Sequence, residues 1–308
     1  MRVLVTGGAG FIGSHVVEDL SKIHDVTVLD NLSCGSIDNI KHIKNINFVR
    51  GDILDLEIVR KLVKDTDVIV HLAASFANLK STENPVEDME INIKGTLNLL
   101  NASLNSDIKK FIYASSSSVY GDNGTLPLNE EMPTKPLTPY AVSKLAGENY
   151  CSAFFRTYGL KTISLRLFNL YGEREYPSKY RGVIVNFISD MLLGKRPRIT
   201  GDGKETRDYT YVKDVSKMFP VFIDSTATGI FNIGIGIETT TIELFNKIKK
   251  LLNIKVEPEY IPFRKWDSRR KRADITKIRK VFNYKPDISL DEGLKRNIEW
   301  LKTVVKNA

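Results

Sequence analysis

The sequence predicts an α/β protein built on a doubly wound parallel sheet of Rossmann type, followed by a smaller α+β lobe. Short β-branched strands alternate with helical stretches through the first half, the pattern of a parallel sheet with crossover helices. A glycine-rich turn joins the first strand to the first helix. After about residue 170 the alternation gives way to clustered turn signals and separate helices.

The first strand is the apolar run Arg2–Thr6, and helical spacing follows over residues 11–23. A second strand spans residues 25–29 and ends against Asp30. Further short buried strands are expected at 47–50, 67–71, 110–115 and 161–166, with helices at 55–64, 85–106 and 138–158. The last helix is well punctuated: Thr138 can cap it, Pro139 suits its first turn and Gly159 can end it. In the second half, turns gather at 172–182, 201–203 and 258–262, with helices at 186–193, 212–223, 241–252 and 290–305. Residues 1–169 are therefore expected to form a dinucleotide-binding domain, with segments near 208–235 returning to it, and residues 170–308 to form mainly the second lobe.

Composition narrows the function. With 308 residues, 42% hydrophobic and 27% charged, the chain has the make-up of a soluble globular enzyme. No run approaches the ~20 apolar residues of a membrane span, and opening directly on a strand leaves no room for a signal peptide. Cys34 and Cys151 are too few for a disulfide framework, and four scattered histidines argue against a metal site. A cytoplasmic location follows. The net charge of +8 raises the question of nucleic acid, but the basic residues are spread along the chain, as on a solvated lysine-rich surface. The exception is Arg264–Arg272, RKWDSRRKR, with six cations in nine residues. A phosphate-bearing small molecule suits that cluster as well as RNA does.

Thr6-Gly7-Gly8-Ala9-Gly10-Phe11-Ile12-Gly13 satisfies both GxxGxxG and GxGxxG. Such a turn lets backbone approach a pyrophosphate, which then sits at the helix N-terminus. Asp30, 23 residues past Gly7, lies where a ribose-binding carboxylate belongs. A carboxylate there accepts from the 2′-hydroxyl of NAD and repels the 2′-phosphate of NADP, and residues 31–36, beginning with Asn31, contain no arginine to offset that repulsion. NAD is the expected cofactor. Asp52 and Ile53 after the third strand can receive adenine, although Asp52 reads equally well as a turn or cap residue. Leu72, Ala73 and Ala74 end the fourth strand in small residues that let a cofactor lie against backbone, with helix packing as the competing reading.

Tyr140-Ala141-Val142-Ser143-Lys144 puts a phenol and an ammonium on one helical face. A free phenol has a pKa of ~10, and a neighbouring cation favours phenolate, so the pair is expected to bring Tyr140 towards the working range for moving a proton on an alcohol. Upstream stands the hydroxyl-rich strand end Ser115-Ser116-Ser117-Ser118.

Taken together, TGGAGFIG, Asp30, GDI, HLAA, the segment Ile91-Asn92-Ile93-Lys94-Gly95-Thr96, SSSSVYG, YAVSK, RLFNLYG, GDGKETRDYTYV and Ala273-Asp274-Ile275 resemble the extended short-chain dehydrogenase/reductases, in particular their nucleotide-sugar epimerase/dehydratase group, over nearly the whole chain. The resemblance implies that Ser116 holds a sugar C4 hydroxyl, Tyr140 is the acid/base, and Lys144 binds nicotinamide ribose and biases Tyr140. It implies Phe168 in the nicotinamide pocket and adds Asn92 and Ser115 to the cofactor contacts. Asn169, Arg207 and Arg264 would meet a nucleotide diphosphate, and Asp267 the nucleotide ribose. It implies, too, a homodimer through a four-helix bundle of the 85–106 and 138–158 helices, whose apolar residues include Leu97, Leu100, Leu104, Phe154 and Phe155.

Within that group, members that eliminate water or carbon dioxide resemble one another in having Glu two residues before the Tyr of VYG. Ser118 stands there, after Ser117, which favours epimerisation over elimination. The leading expectation is inversion of C4 of a UDP-hexose, with a 2-epimerase, a 4,6-dehydratase, a decarboxylase or a ketosugar reductase as rivals on the same scaffold. A non-catalytic NAD-binding protein that contacts RNA is the reading from another class, and the intact Ser116/Tyr140/Lys144 set argues against it. Two positions depart from the pattern. Phe76 stands where a polar cofactor contact is usual, and Lys271 stands where side-chain size governs admission of an N-acetyl group.

Overall fold

The computed structural model describes residues 1–305. Its centre is a seven-stranded sheet, parallel throughout. The strands are β1 (Arg2–Thr6), β2 (Asp25–Asp30), β3 (Ile46–Arg50), β4 (Val68–His71), β5 (Lys110–Ser116), β6 (Thr162–Leu167) and a seventh, Gly229–Ile233. Their order is β3-β2-β1-β4-β5-β6 and then the Gly229–Ile233 strand. The order reverses between β1 and β4, and the crevice at such a reversal is where doubly wound sheets bind ligands.

Side-chain alternation along the strands gives the sheet its two cores. Val3, Val5, Val26, Val28, Val68 and Val70 face one side, packed with Val16, Val17 and Leu20 of helix α1 (Phe11–Leu20). Leu4, Leu29, Ile69 and Phe111 face the other, packed with Val59 and Val63 of helix α2 (Leu56–Lys64) and with Leu99 and Leu100 of the Gly95–Ser103 helix. A third core, including Tyr171, Phe187, Phe245 and Leu294, fills the second lobe.

Two expected helices are interrupted, each for a local reason. The 85–106 stretch runs as Pro85–Met89, a π-helical turn over Glu90–Lys94, and Gly95–Ser103. Asn92 sits in that wider turn, a feature that often marks functional positions. The 212–223 stretch breaks into Val212–Ser216 and Phe219–Asp224, because Pro220 lacks an N–H and fits only the first turn of a new helix. Both short helices pack against α1.

Candidate active site

The turn between β1 and α1 is held by Gly7, whose N–H donates to Leu29 O at 2.8 Å. Gly7 has φ +70, and a Cβ there would lie 2.7 Å from Ala73 N. At Gly13 a Cβ would lie 2.1 Å from Gly7 O, so only glycine lets the helix sit this close to the strand. Gly10 caps α1 without a side chain, and Ser14 N–H is the first bonded back, to Gly10 O. The N–H groups of Phe11, Ile12 and Gly13 are thus left to an anion.

These residues line a groove with a cavity volume of ≈ 390 Å³. Asp30 and Asn31 stand on its β2 side, Asp52 and Ile53 on its β3 side, and Leu72, Ala73 and Ala74 on its β4 side. Asp30 is 8% exposed; it accepts Ala9 N–H at 2.9 Å and Leu32 N–H at 2.8 Å. Burial raises its pKa, and those two donors pull it back. Each oxygen keeps a lone pair that a ribose hydroxyl can use. Asn31 donates to Asp52 at 2.7 Å, so it orients the Asp52 carboxylate. A floor of open N–H groups, a carboxylate on the second strand and a wall of small residues fit a dinucleotide.

Ser115, Tyr140 and Lys144 stand at the inner end of the same groove. The Tyr140 helix starts as its sequence requires, with Thr138 accepting Ala141 N–H and Pro139 in the first turn, and it ends on Gly159 at φ 74. Lys144, 3% exposed, donates to Ala114 O at 2.8 Å. Its ammonium lies 5.0 Å from the Tyr113 ring centroid and 5.9 Å from that of Tyr140. The expected lowering of the phenol pKa is not what this geometry produces. Burial pushes Tyr140 up to about 12, with the nearby Ser116 hydroxyl pulling it down and Asp88 adding to the rise. Burial also brings Lys144 down to about 8. Desolvation of the phenol is the largest cause of the rise, while the neighbouring ammonium is held on the Ala114 carbonyl.

Two residues expected at the cofactor are buried and do not line the groove. Asn92 is 1% exposed; its amide accepts Ser75 N–H at 2.8 Å and donates to Ser75 O, Asp88 and Ser143. It therefore shapes the loop after β4 and ties it to the Tyr140 helix. Phe168 is fully buried against Tyr120 in the sheet core, where an apolar ring is more stable than at a wet pocket wall.

Sequence reasoning missed the pair that fixes the floor of this end. Glu148, four residues past Lys144 on the same face, receives Arg166 at 2.8 Å, and the two side chains are 1% and 4% exposed. Glu148 also accepts the Ser115 hydroxyl, and Arg166 lies 4.6 Å from the Tyr120 ring. The repeat Tyr140, Lys144, Glu148 was the available signal. His71 is a second such group, bonded to Thr6 at 2.8 Å and Thr96 at 2.9 Å, and burial keeps it neutral with a pKa of about 3.

In the second lobe, Arg207 pairs with Asp267 at 3.2 Å. Arg264 accepts Asp267 N–H on its carbonyl at 2.9 Å and has its guanidinium 5.3 Å from the Trp266 ring, and Asn169 is exposed just past β6 with φ 22. The basic cluster is largely neutralised: Arg269 pairs with Glu205 at 2.9 Å and Arg270 with Glu238 at 2.7 Å. Lys271 turns inward, 7% exposed, and burial beside Arg207 lowers it to about 7.

A parallel sheet with a glycine turn at its switch point, an acid ending β2 and a buried Tyr/Lys pair define a short-chain dehydrogenase/reductase that binds NAD. The chain belongs to the NAD dependent epimerase/dehydratase family, whose pattern matches residues 3–234. A UDP-glucose 4-epimerase of Mycolicibacterium smegmatis is 38% identical over 310 residues, covering 98% of this chain and 99% of that protein. The crystal structure of UDP-glucose 4-epimerase with UDP-glucose from Thermotoga maritima superposes with a TM-score of 0.95 at 38% identity, covering 99% of this chain and 100% of that one. The Thermus thermophilus UDP-glucose 4-epimerase complex with NAD gives 0.90 at 36%, covering 98% and 99%.

Proposed function

We propose that this protein is an NAD-dependent UDP-hexose 4-epimerase, inverting C4 of UDP-glucose, UDP-galactose or their N-acetyl analogues through a transient 4-keto sugar. One observation carries the reading: Tyr140 and Lys144 line the inner end of the groove with the Ser116 hydroxyl against Tyr140, while Ser117 and Ser118 offer no carboxylate beside them. Elimination of water needs an acid/base group that these hydroxyls cannot replace.

When bound, NAD supplies a hydride acceptor that later returns the hydride, and in its oxidised form a positive charge in the groove. Tyr140 exchanges a proton with the sugar O4, and Ser116 holds that oxygen. Burial alone keeps the phenol protonated, the state that returns a proton to O4 when the ketone is reduced. Taking the O4 proton in the first half requires the phenolate, which the positive charge of the oxidised cofactor would favour. Lys144, held on Ala114 O, binds the nicotinamide ribose. Arg207 and Arg264, with Asn169, take the diphosphate, and Asp267 takes the nucleotide ribose, so the sugar itself stays free to rotate.

The protein is proposed to work in the cytoplasm; no described helix is long and apolar enough to cross a membrane. It is proposed to be a homodimer through the 85–103 and 139–158 helices. Exposed apolar residues on and beside these helices include Val86, Met89, Leu104, Leu137, Val142 and Phe155, whereas Leu100 and Phe154 belong to the core. Pairing within the basic segment speaks against RNA as a partner.

NMR of product mixtures tests the reading, using UDP-glucose, UDP-galactose, their N-acetyl analogues and, because Lys271 is buried near Arg207, acidic UDP-sugars. A mixture of C4 epimers with C4 deuterium retained is expected. A 4-keto-6-deoxy sugar, or NADH released in proportion to turnover, overturns it.

A further inference from the structure

Phe76 lines the cofactor groove just beyond β4 and offers the phosphates of a dinucleotide no polar atom. A cation reaches the same place from the other lobe. Arg181, in the loop leading to the Val183–Leu192 helix, has its guanidinium carbon 3.9 Å from the centroid of the Phe76 ring, at stacking distance. Its Nη2 donates to Cys34 O at 3.3 Å. Cys34 belongs to the segment that folds over the glycine turn, where Ser36 N–H donates to Ala9 O at 3.1 Å. Arg181 is thereby anchored across the mouth of the groove, and it lines the groove together with Gly10, Phe11 and Ile12.

The charge is not spent within the protein. Among the described residues, no carboxylate lies within ion-pair distance of Arg181, and the Cys34 carbonyl is its one hydrogen-bond acceptor. Glu175 is near enough to be felt electrostatically, but burial raises that carboxyl to about 7, and it accepts Gly182 N–H. Of the other cations on the groove, Lys80 is paired with Glu87 at 2.9 Å and Lys144 is held on Ala114 O at 2.8 Å. A half-buried guanidinium with open donors calls for an anion, and a diphosphate suits its forked geometry.

We infer that Arg181 clamps the phosphate bridge of NAD from the substrate lobe, opposite the open N–H groups of α1, and replaces the polar contact that Phe76 cannot make. The Phe76 ring then has a task of its own, holding the guanidinium in place. Cofactor and substrate lobe are joined by this contact, which suits an enzyme that keeps one NAD through repeated turnovers.

The test measures binding rather than turnover in the full-length protein. Loss of NAD from the holoenzyme on dilution is expected to accelerate in Arg181→Ala. Titration calorimetry is expected to show NAD and ADP weakened roughly ten- to hundredfold, the scale of a lost charged hydrogen bond, with adenosine within about twofold of wild type. Adding Phe76→Lys to Arg181→Ala is expected to restore part of the NAD affinity. Should Arg181→Ala fold poorly, Arg181→Gln reads the same quantity. Unchanged NAD and ADP affinities overturn the clamp. So does an equal loss for adenosine, which marks general damage to the groove, or a loss confined to NADP, which moves the guanidinium to the 2′-phosphate.

Discussion

The cofactor half and the substrate lobe handle charge in opposite ways. Around the NAD groove, polar side chains are buried and pinned by short bonds: Asp30 between two backbone donors, His71 between two threonines, Glu148 against Arg166. In the second lobe several charges lie nearer the surface and pair with one another, as Arg207 does with Asp267 and Arg270 with Glu238. Buried networks fix geometry, because breaking one leaves a desolvated group without a partner. Partly exposed pairs cost little to exchange. The first arrangement suits a cofactor that stays; the second suits a substrate that must come and go.

The largest effect that would sharpen this contrast is kinetic. Tyr140→Phe is expected to slow turnover by ~10²–10⁴ while leaving NAD affinity near wild type, checked by kcat alongside a cofactor titration. Next comes stability on the cofactor side. Arg166→Met leaves Glu148 buried and alone, and urea unfolding is expected to register a loss of about 3–5 kcal/mol. Replacing Glu148 with Met as well is expected to recover most of it. At the adenosine end, Asp30→Ala is expected to weaken NAD by roughly tenfold, the scale of a bond to a charged group, and to narrow its preference over NADP. An unchanged ratio of the two affinities would take Asp30 away from the ribose.

Lys271 breaks the contrast, being a buried cation inside the substrate lobe, and pH exposes it. Folded Lys271 titrates at about 7, the unfolded side chain near ~10.4. Below about 7 both states are protonated and the native state carries the full cost of burying the ammonium. Between the two values the unfolded chain holds the extra proton, so stability rises with pH. Thermal melts are expected to show Lys271→Met more stable than wild type at pH 6, with the gap closing by pH 10. The smallest effect belongs to the surface: Arg270→Ala is expected to lower the melting midpoint only slightly, by an amount that becomes undetectable in high salt.

Much of the cofactor half was legible in the sequence because its parts are local. A glycine turn, an acid at a strand end and a Tyr/Lys pair one helical turn apart each sit within a short stretch, and backbone geometry alone brings them to one crevice. What escaped was whatever depended on partners distant in the chain. Glu148 and Arg166 meet across a helix and a strand, and Arg181 crosses from one lobe to the other with no motif around it. Asn92 and Phe168 sit in family motifs, yet the fold uses one to brace a loop and the other to fill the core. The phenol was misjudged in sign, since the spacing of Tyr140 and Lys144 says nothing about how much water surrounds them.

The last strand of the sheet comes from within the stretch of chain that builds the second lobe. Gly229–Ile233 pairs with β6, Gly229 opposite Ile163, so the chain between the two partners runs out into the second lobe and back. Ending the chain near residue 169 would therefore leave β6 with a bare edge of N–H and C=O groups, ready to pair with another molecule. During synthesis that edge stays open until the polypeptide has grown past residue 233, and closing it demands a long loop, which slows folding. A clean excision of the NAD-binding half is expected to precipitate unless the returning strand is grafted back.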